Sequence, residues 1–405
     1  MIKNYFKTAF RYLTRQKGYT LLNIIGLTIG ISSSLIIILY LFNELSYDKQ
    51  HEKADQIFRI SSDFKETDDA FRWASTQNPL GPKLEEDFAE VEQFVRLSGV
   101  GRIQIEHDHL KYFEEKVYYV DSTVFDIFTF DFVQGDPSTA LDAPNSIVIN
   151  ESIAQKIFKG DNPIGQSVKI DDDELFQVTG VYKDMPAQSH LIVDMMISAS
   201  SVRERMNRGN WGSFNLFTYV LLSPSTDPVK FEKKLDEVIQ AHVVPIFAQY
   251  NIIIKYELLN IKDIHLHSTF LGEPEPLGDI TYIYIFSAVC IFLLVIACIN
   301  YMNLATARSM KRATEVGIRK VLGAGRERLI MQFLTESMII TLTAFMLSVI
   351  IALIAIPIIN SSLDINLSMA VLYQPKIIGL LMFMLLLTGV FGGSYPAFYL
   401  SGFLP

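Results

Sequence analysis

Hydrophobic residues cluster along this chain in four long runs, at 19–43, 281–307, 329–359 and 376–399. The first two contain no Asp, Glu, Lys or Arg; the third contains only Glu336, and the fourth opens on Lys376 and has no charge after it. A helix needs about 20 apolar residues to cross a hydrocarbon layer about 30 Å thick, so the pattern predicts four membrane-spanning helices. The first run follows a basic N-terminus, as a signal peptide would. Its apolar stretch of about 24 residues is nevertheless too long, and no small-residue cleavage site precedes Asn43, Glu44 and Leu45, which predicts an uncleaved anchor.

Between the first two runs, residues 44–280 follow a different pattern. Short alternating or apolar runs predict strands at 116–120, 146–150, 167–170, 175–182 and 217–222, and helical spacing appears at 79–95, 151–160 and 227–244. The expected fold class is an α-helical membrane protein with four transmembrane helices and a large α+β extracytoplasmic domain between helices one and two. DDDE at 171–174 lies between two strand patterns and lacks the glycine and spacing of a calcium loop, so it reads as a hairpin turn. Residues 2–13 have an apolar face (Ile2, Tyr5, Phe6, Ala9, Phe10, Leu13) and a basic one (Lys3, Lys7, Arg11), predicting a helix lying on lipid or packing on a partner.

Small residues mark helix contacts inside the spans. Gly26, Gly30 and Ser34 recur every four residues in the first, and Gly389 and Gly393 do so in the fourth, which allows another helix to approach closely. Asn300 and Asn303 add polar groups near the end of the second span. The spans lack the paired mid-membrane charges of ion-coupled transporters.

Charge placement adds orientation. Residues 1–18 carry Lys3, Lys7, Arg11, Arg15 and Lys17 without an acid, and residues 308–328 carry seven basic residues against Glu315 and Glu327. The positive-inside rule assigns both segments to the cytoplasm. Of the chain's 35 basic and 44 acidic residues, 22 and 40 fall in 44–280, a net of −18, which excludes a nucleic-acid footprint there. Cys290 and Cys298 both lie in the second span, about 12 Å apart along a helix, too far to bridge each other. A large domain without cysteine favours a bacterial membrane.

Chemistry is sparse. There is no GxxxxGK[ST], HExxH or GxSxG, so no catalytic, cofactor-binding or metal residues are assigned and the chain is expected not to be an enzyme. GAG at 323–325 follows a helical pattern and lacks the Lys-Ser/Thr ending of a phosphate loop. The pairs His107/His109 and His265/His267 have the period of two that puts both rings on one strand face, without a third ligand.

The stretch EVGIRKVLGAGRERLI (315–330) stands apart. Its charges would each cost about 2.5–3.5 kcal/mol in hydrocarbon, which keeps the segment in water. Ala313, Val316, Gly317 and Lys320/Val321 have helical spacing that stops at Gly323, predicting a short helix on the membrane surface and a sharp turn into the third span. A topology signal alone would not need the apolar residues Val316, Ile318, Val321 and Leu322.

EVGIRKVLGAGRERLIMQFLTES (315–337) resembles the cytoplasmic signature of FtsX-like permeases, the membrane subunits of MacB-type (type VII) ABC transporters. SYDKQHEKADQIFRI (46–60), FDIFTFDFVQGDPSTAL (125–141), INESIAQKIFKGDNPIGQSVKI (149–170) and FQVTGVYKDMPAQSHL (176–191) resemble the MacB-like periplasmic core domain. The resemblance covers essentially the whole chain. It implies a cytoplasmic amphipathic helix (1–18), spans at 19–43, 281–307, 329–359 and 376–399, a periplasmic domain (44–280) with a porter-like lobe and a second lobe inserted around 120–190, a coupling helix (308–328), a short outer loop (360–375) and an FtsX-like permease region (308–400).

By the same resemblance, Glu315, Gly317, Ile318, Arg319, Lys320, Leu322 and Gly323 would dock on a separate cytoplasmic ATPase that binds the ATP, with Glu336 in the first turns of helix three. A second permease half is expected, as are membrane lipid contacts and, for an efflux member, a periplasmic adaptor and an outer-membrane channel. The implied function is export or efflux of a periplasmic substrate, driven by mechanotransmission through a permease of the bacterial inner membrane. Lipoprotein release, control of cell-wall hydrolases and a membrane-anchored sensor or scaffold remain alternatives. Members with these motifs are often twice as long, with the unit repeated; these residues contain no internal repeat and end just after helix four, as half of such a protein, a truncated gene product or a half-size subunit that dimerises would.

Overall fold

A computed structural model describes residues 17–66, 70–171, 174–207, 209–321, 325–363, 365 and 367–402, without the side chains of 308–317, 319, 320, 370, 395, 396 and 399–402. The expected amphipathic helix at 2–13 lies outside them. Two compact units emerge, one formed by the chain up to Leu45 together with the part from Thr281 onward, the other by Ser46–Ile280.

The first unit consists of four long helices, α1 (Lys17–Glu44), α6 (Ile280–Val321), α7 (Arg326–Leu363) and α8 (Pro375–Gly402). Each is long and apolar enough to cross a membrane. Their inward residues form three apolar clusters, one containing Leu35, Leu39, Ala352, Ile356 and Leu381, another Leu27, Ile31, Ala297, Tyr301, Ile340 and Ala344, and a third Leu329, Phe333 and Ala397. Phe292, Ile296, Ile354, Phe383 and Phe391 are mostly exposed, as suits side chains whose solvent is lipid.

Helix α6 corrects one expectation. The segment 308–321 is not a separate surface helix, because α6 runs unbroken from Ile280 to Val321. Charge changes which solvent a helix prefers and leaves its backbone preference intact. Between Ala307 and Val321 the sole breaker is Gly317, which costs only about 1 kcal/mol within a helix, whereas each further residue adds a hydrogen bond. At 1.5 Å per residue, its 42 residues span about 63 Å, roughly twice a hydrocarbon layer.

The second unit is built on a mixed, largely antiparallel sheet of 14 strands. In chain order these are β1 (Ile57–Lys65), β2 (Ala70–Trp73), β3 (Thr76–Gln77), β4 (Val91–Gly99), β5 (Ile103–His107), β6 (Leu110–Glu114), β7 (Val117–Val120), β8 (Phe132–Gly135), β9 (Ser146–Asn150), β10 (Ser167–Ile170), β11 (Glu174–Tyr182), β12 (Met195–Ser198), β13 (Phe214–Leu222) and β14 (Ile253–Asn260). Across the sheet they run β14-β1-β13-β4-β7-β12-β9-β11-β10-β5-β6, with β2 on β1, β3 on β13 and β8 on β11. The pairs β7/β12 and β9/β11 are parallel. Labelled helices here are α2 (Leu80–Asp87), α3 (Glu151–Phe158), α4 (Pro228–Val238) and α5 (Ile261–His267).

The 79–95 helix is correct only in its first half. Phe88 turns extended (φ −125°, ψ 111°) and Val91–Gly99 becomes β4, paired to β13 and β7. Burial of Val95 and Leu97 within the sheet overrides the helical propensity of a Glu-rich segment. β5 and β6 lie at one edge of the sheet, next to β10, and the strand order continues without a break from β14 to β6.

Neither histidine pair shares a strand face. Asp108 and His109 form the β5–β6 turn with positive φ (49° and 65°), leaving His107 alone at the end of β5. His265 and His267 lie on α5, where Asn260 caps the N-terminus and Ile261, Ile264 and His265 form the buried side. At DDDE, Asp171 closes β10 and Glu174 opens β11, with 172–173 outside the described residues.

Candidate coupling segment and its helical frame

Of the seven residues singled out by resemblance, Glu315, Gly317, Ile318, Arg319 and Lys320 fall in the last two turns of α6. Leu322 and Gly323 lie outside the described residues. Glu315 and Arg319 are four apart and therefore neighbours on one face; Ile318 and Val321 are three apart and share another. The latter pair is 57% and 76% exposed. Both are aliphatic side chains exposed at the end of the helix beyond its apolar span.

After Gly325, whose carbonyl accepts from the N–H groups of Arg328 (3.2 Å) and Leu329 (3.4 Å), α7 turns back into the apolar region. Glu336 lies about 15 Å along it, buried, with its Oε1 accepting from Gln332 Nε2 at 3.0 Å. Ser337 beside it donates to the Gly389 carbonyl at 2.7 Å.

The small residues of α1 face α6. A Cβ added at Gly30 would sit 2.6 Å from Ala297 Cβ and one at Gly26 3.4 Å from Asn300 Nδ2, while Ser34 Oγ lies 3.5 Å from the Cys290 carbonyl. On α8, a Cβ at Gly389 would run into Met338 Sδ and one at Gly393 would meet Ser337 Cβ at 2.6 Å. The opposing surface was missed in the sequence. Ser337, Thr341, Ala344, Ser348 and Ala352 are all buried on α7, Ser348 donates to the Thr28 carbonyl (3.0 Å), and Thr28 donates to the Ala344 carbonyl (3.4 Å). Their three- and four-residue spacing was the available signal.

An apolar cavity of about 660 Å³ lies between α1, α6 and α8, lined by Ile38, Cys290, Leu294, Cys298, Phe383 and Phe391 among others. No Asp, Glu, Lys, Arg or His lines it. Among the described residues there is no group of three or more His, Cys, Asp or Glu able to hold a metal.

Comparison with known proteins agrees with this arrangement. Residues 20–238 match the family model described as MacB-like periplasmic core domain, and residues 287–405 match that described as FtsX-like permease C-terminal. The chain is 24% identical over 207 residues to the macrolide export ATP-binding/permease protein MacB of Bdellovibrio bacteriovorus, covering 50% of this chain and 29% of that protein. It is 25% identical over 197 residues to the uncharacterized ABC transporter permease YknZ of Bacillus subtilis, covering 48% and 45%. The chain thus spans under half the length of these relatives. The periplasmic region of MacB from Actinobacillus actinomycetemcomitans aligns with 50% of this chain and 88% of its own length at 17% identity and a TM-score of 0.37.

Proposed function

The chain belongs to the ABC transporter permeases that combine a MacB-like periplasmic core domain with an FtsX-like permease region, and from that membership we propose that it couples ATP hydrolysis by a separate cytoplasmic ATPase to movement of its large domain, driving export of a periplasmic substrate. In this reading ATP stays with the partner, the chain itself catalyses no reaction, and a second permease half completes the unit. The basic segments at 1–18 and 308–328 favour a cytoplasmic N-terminus and a periplasmic 46–280. Export is the preferred direction because the MacB relatives bear that name. An adaptor and outer-membrane channel would serve such a route.

Support comes chiefly from the continuity of α6. Glu315, Gly317, Ile318, Arg319 and Lys320 lie on the same helix that crosses the membrane, so an ATPase gripping Ile318 and Val321 would act on one rigid rod instead of a hinged loop. Leu322 and Gly323 would complete the grip.

A photoreactive amino acid at Ile318, introduced in native membranes, is expected to capture an ATP-binding subunit. The same probe at Phe292, within the span, should capture lipid. Capture of lipid alone at Ile318 would refute the docking role.

A further inference from the structure

Two chain segments join the 46–280 domain to its flanking spans, one after α1 and one before α6, and each is pinned by a buried carboxylate. In the first, Asp48 is fully buried and holds a left-handed backbone (φ 57°), which Asp adopts more readily than most non-glycine residues. Its N–H donates to the Gln188 carbonyl (3.0 Å), and its carboxylate accepts from Ser189 Oγ (3.1 Å) and His190 N–H (3.2 Å). His190 Nδ1 lies 2.9 Å from Asp48 Oδ1, and His190 Nε2 lies 2.9 Å from the Tyr219 hydroxyl. In the second, the Glu273 carboxylate receives both terminal nitrogens of the Arg59 guanidinium and the Ser268 hydroxyl.

These two anchors end on one point of the sheet. Arg59 on β1 and Tyr219 on β13 are direct cross-strand partners, and both are fully buried. Tyr47 ties the segments to each other, its ring stacked on His265 at 3.4 Å and 2°, while the His265 carbonyl accepts from Gly278 N–H (2.9 Å) in the segment before α6. Lys116 adds an ion pair to Glu275 at 2.6 Å.

Such a network is poorly explained by stability alone. Apolar residues of similar volume often replace a buried ion pair without loss, because burying the charges costs about as much as their attraction returns. What a hydrogen-bonded charge provides, and an apolar contact does not, is a single geometry that cannot slide. Burial pushes the Tyr219 hydroxyl well above its ordinary range and holds His51, against Asp48, at about 4, so Tyr219 remains a neutral phenol and His51 a neutral ring at physiological pH.

We infer that Asp48 and Glu273 are positioning residues of the coupling mechanism, fixing the segments that border α1 and α6 to the Arg59–Tyr219 pair so that displacement of either helix reaches the central strands without slip. This rests on the proposed function.

The test uses the full chain with its co-purifying ATP-binding subunit, reading hydrogen exchange across 46–280 with and without ATP plus vanadate. Wild type should show a nucleotide-dependent change. The Asp48→Asn, Glu273→Gln variant should keep the ATPase bound and hydrolysing while losing at least fivefold of that change; Asn tolerates the left-handed backbone at 48. In a Cys290→Ser, Cys298→Ser background, Asp48→Cys with Ser189→Cys should lose the response when reduced and regain it when oxidised to a disulfide, an outcome that a role in folding alone does not produce. A full response in the double variant, or a folded oxidised variant without response, would overturn the inference while leaving the ATPase partnership intact. No ATP-binding subunit in the wild-type preparation would overturn the proposed function and this inference with it.

Discussion

Replacing Gly30 by leucine is expected to prevent stable assembly of the helical unit. A Cβ at this position would sit 2.6 Å from Ala297 Cβ, a methyl fixed to the backbone of α6 that no rotamer can move aside, so the two helices themselves must separate. Overpacking typically costs about 1–3 kcal/mol, which is the expectation for Gly30→Ala; the larger leucine adds branches with nowhere to go. Two neighbours grade the effect. Gly26→Ala should be nearly silent, since its Cβ meets Asn300 Nδ2 at 3.4 Å, and Gly389→Ala should cost less than Gly30→Ala because the atom it displaces is the thioether sulfur of the flexible Met338 side chain. Thermal aggregation and size-exclusion profiles of the detergent-solubilised chain measure the series. Equal behaviour of Gly26→Ala and Gly30→Ala would contradict it.

Asp121→Ala should strongly destabilise the large domain. Arg96 is buried, with Nε and Nη2 on the Asp121 carboxylate (2.8 and 3.0 Å) and Nη1 on the carbonyls of Asn78 (2.7 Å) and Met206 (3.0 Å). Removing the carboxylate strands a buried cation, which costs about 3–5 kcal/mol. For a domain of this size that corresponds to a melting temperature lower by about 10 °C. Lys183→Ala is the matched control. Its partner Asp131 is 3.3 Å away, but both side chains are more than 60% exposed, so solvent screens the pair and the change should be within about 0.5 kcal/mol. Comparable losses in the two variants would show that the Arg96–Asp121 pair is not an anchor.

The four spans were legible because membrane helices announce themselves by length and hydrophobicity alone. Gly26, Gly30, Ser34, Gly389 and Gly393 were legible by spacing, since a helix turns small residues four apart onto one side. The extent of α6 was not, because a run of charges marks where the solvent changes and says nothing about where a helix ends. The switch from helix to strand at Phe88 depends on β13 and β7, which are distant in sequence. Hardest to read were the buried charges. Arg59 and Glu273 are 214 residues apart, and nothing in the local pattern around either distinguishes it from a solvated charge. His107/His109 and His265/His267 failed for a related reason, because a period of two carries meaning only where the backbone is a strand.

The central claim is that the end of α6 docks an ATPase. Its most direct test is a pull-down of the detergent-solubilised chain from native cells, wild type beside a Glu315→Lys, Arg319→Glu double variant, with partners identified by mass spectrometry. Both substitutions lie on one helical face, so a docked partner would meet reversed charge at two adjacent positions. An ATP-binding subunit that accompanies wild type and is lost from the variant, with the melting temperature unchanged, is the predicted result. Equal recovery of that subunit in both samples, or its absence from both, would contradict the account.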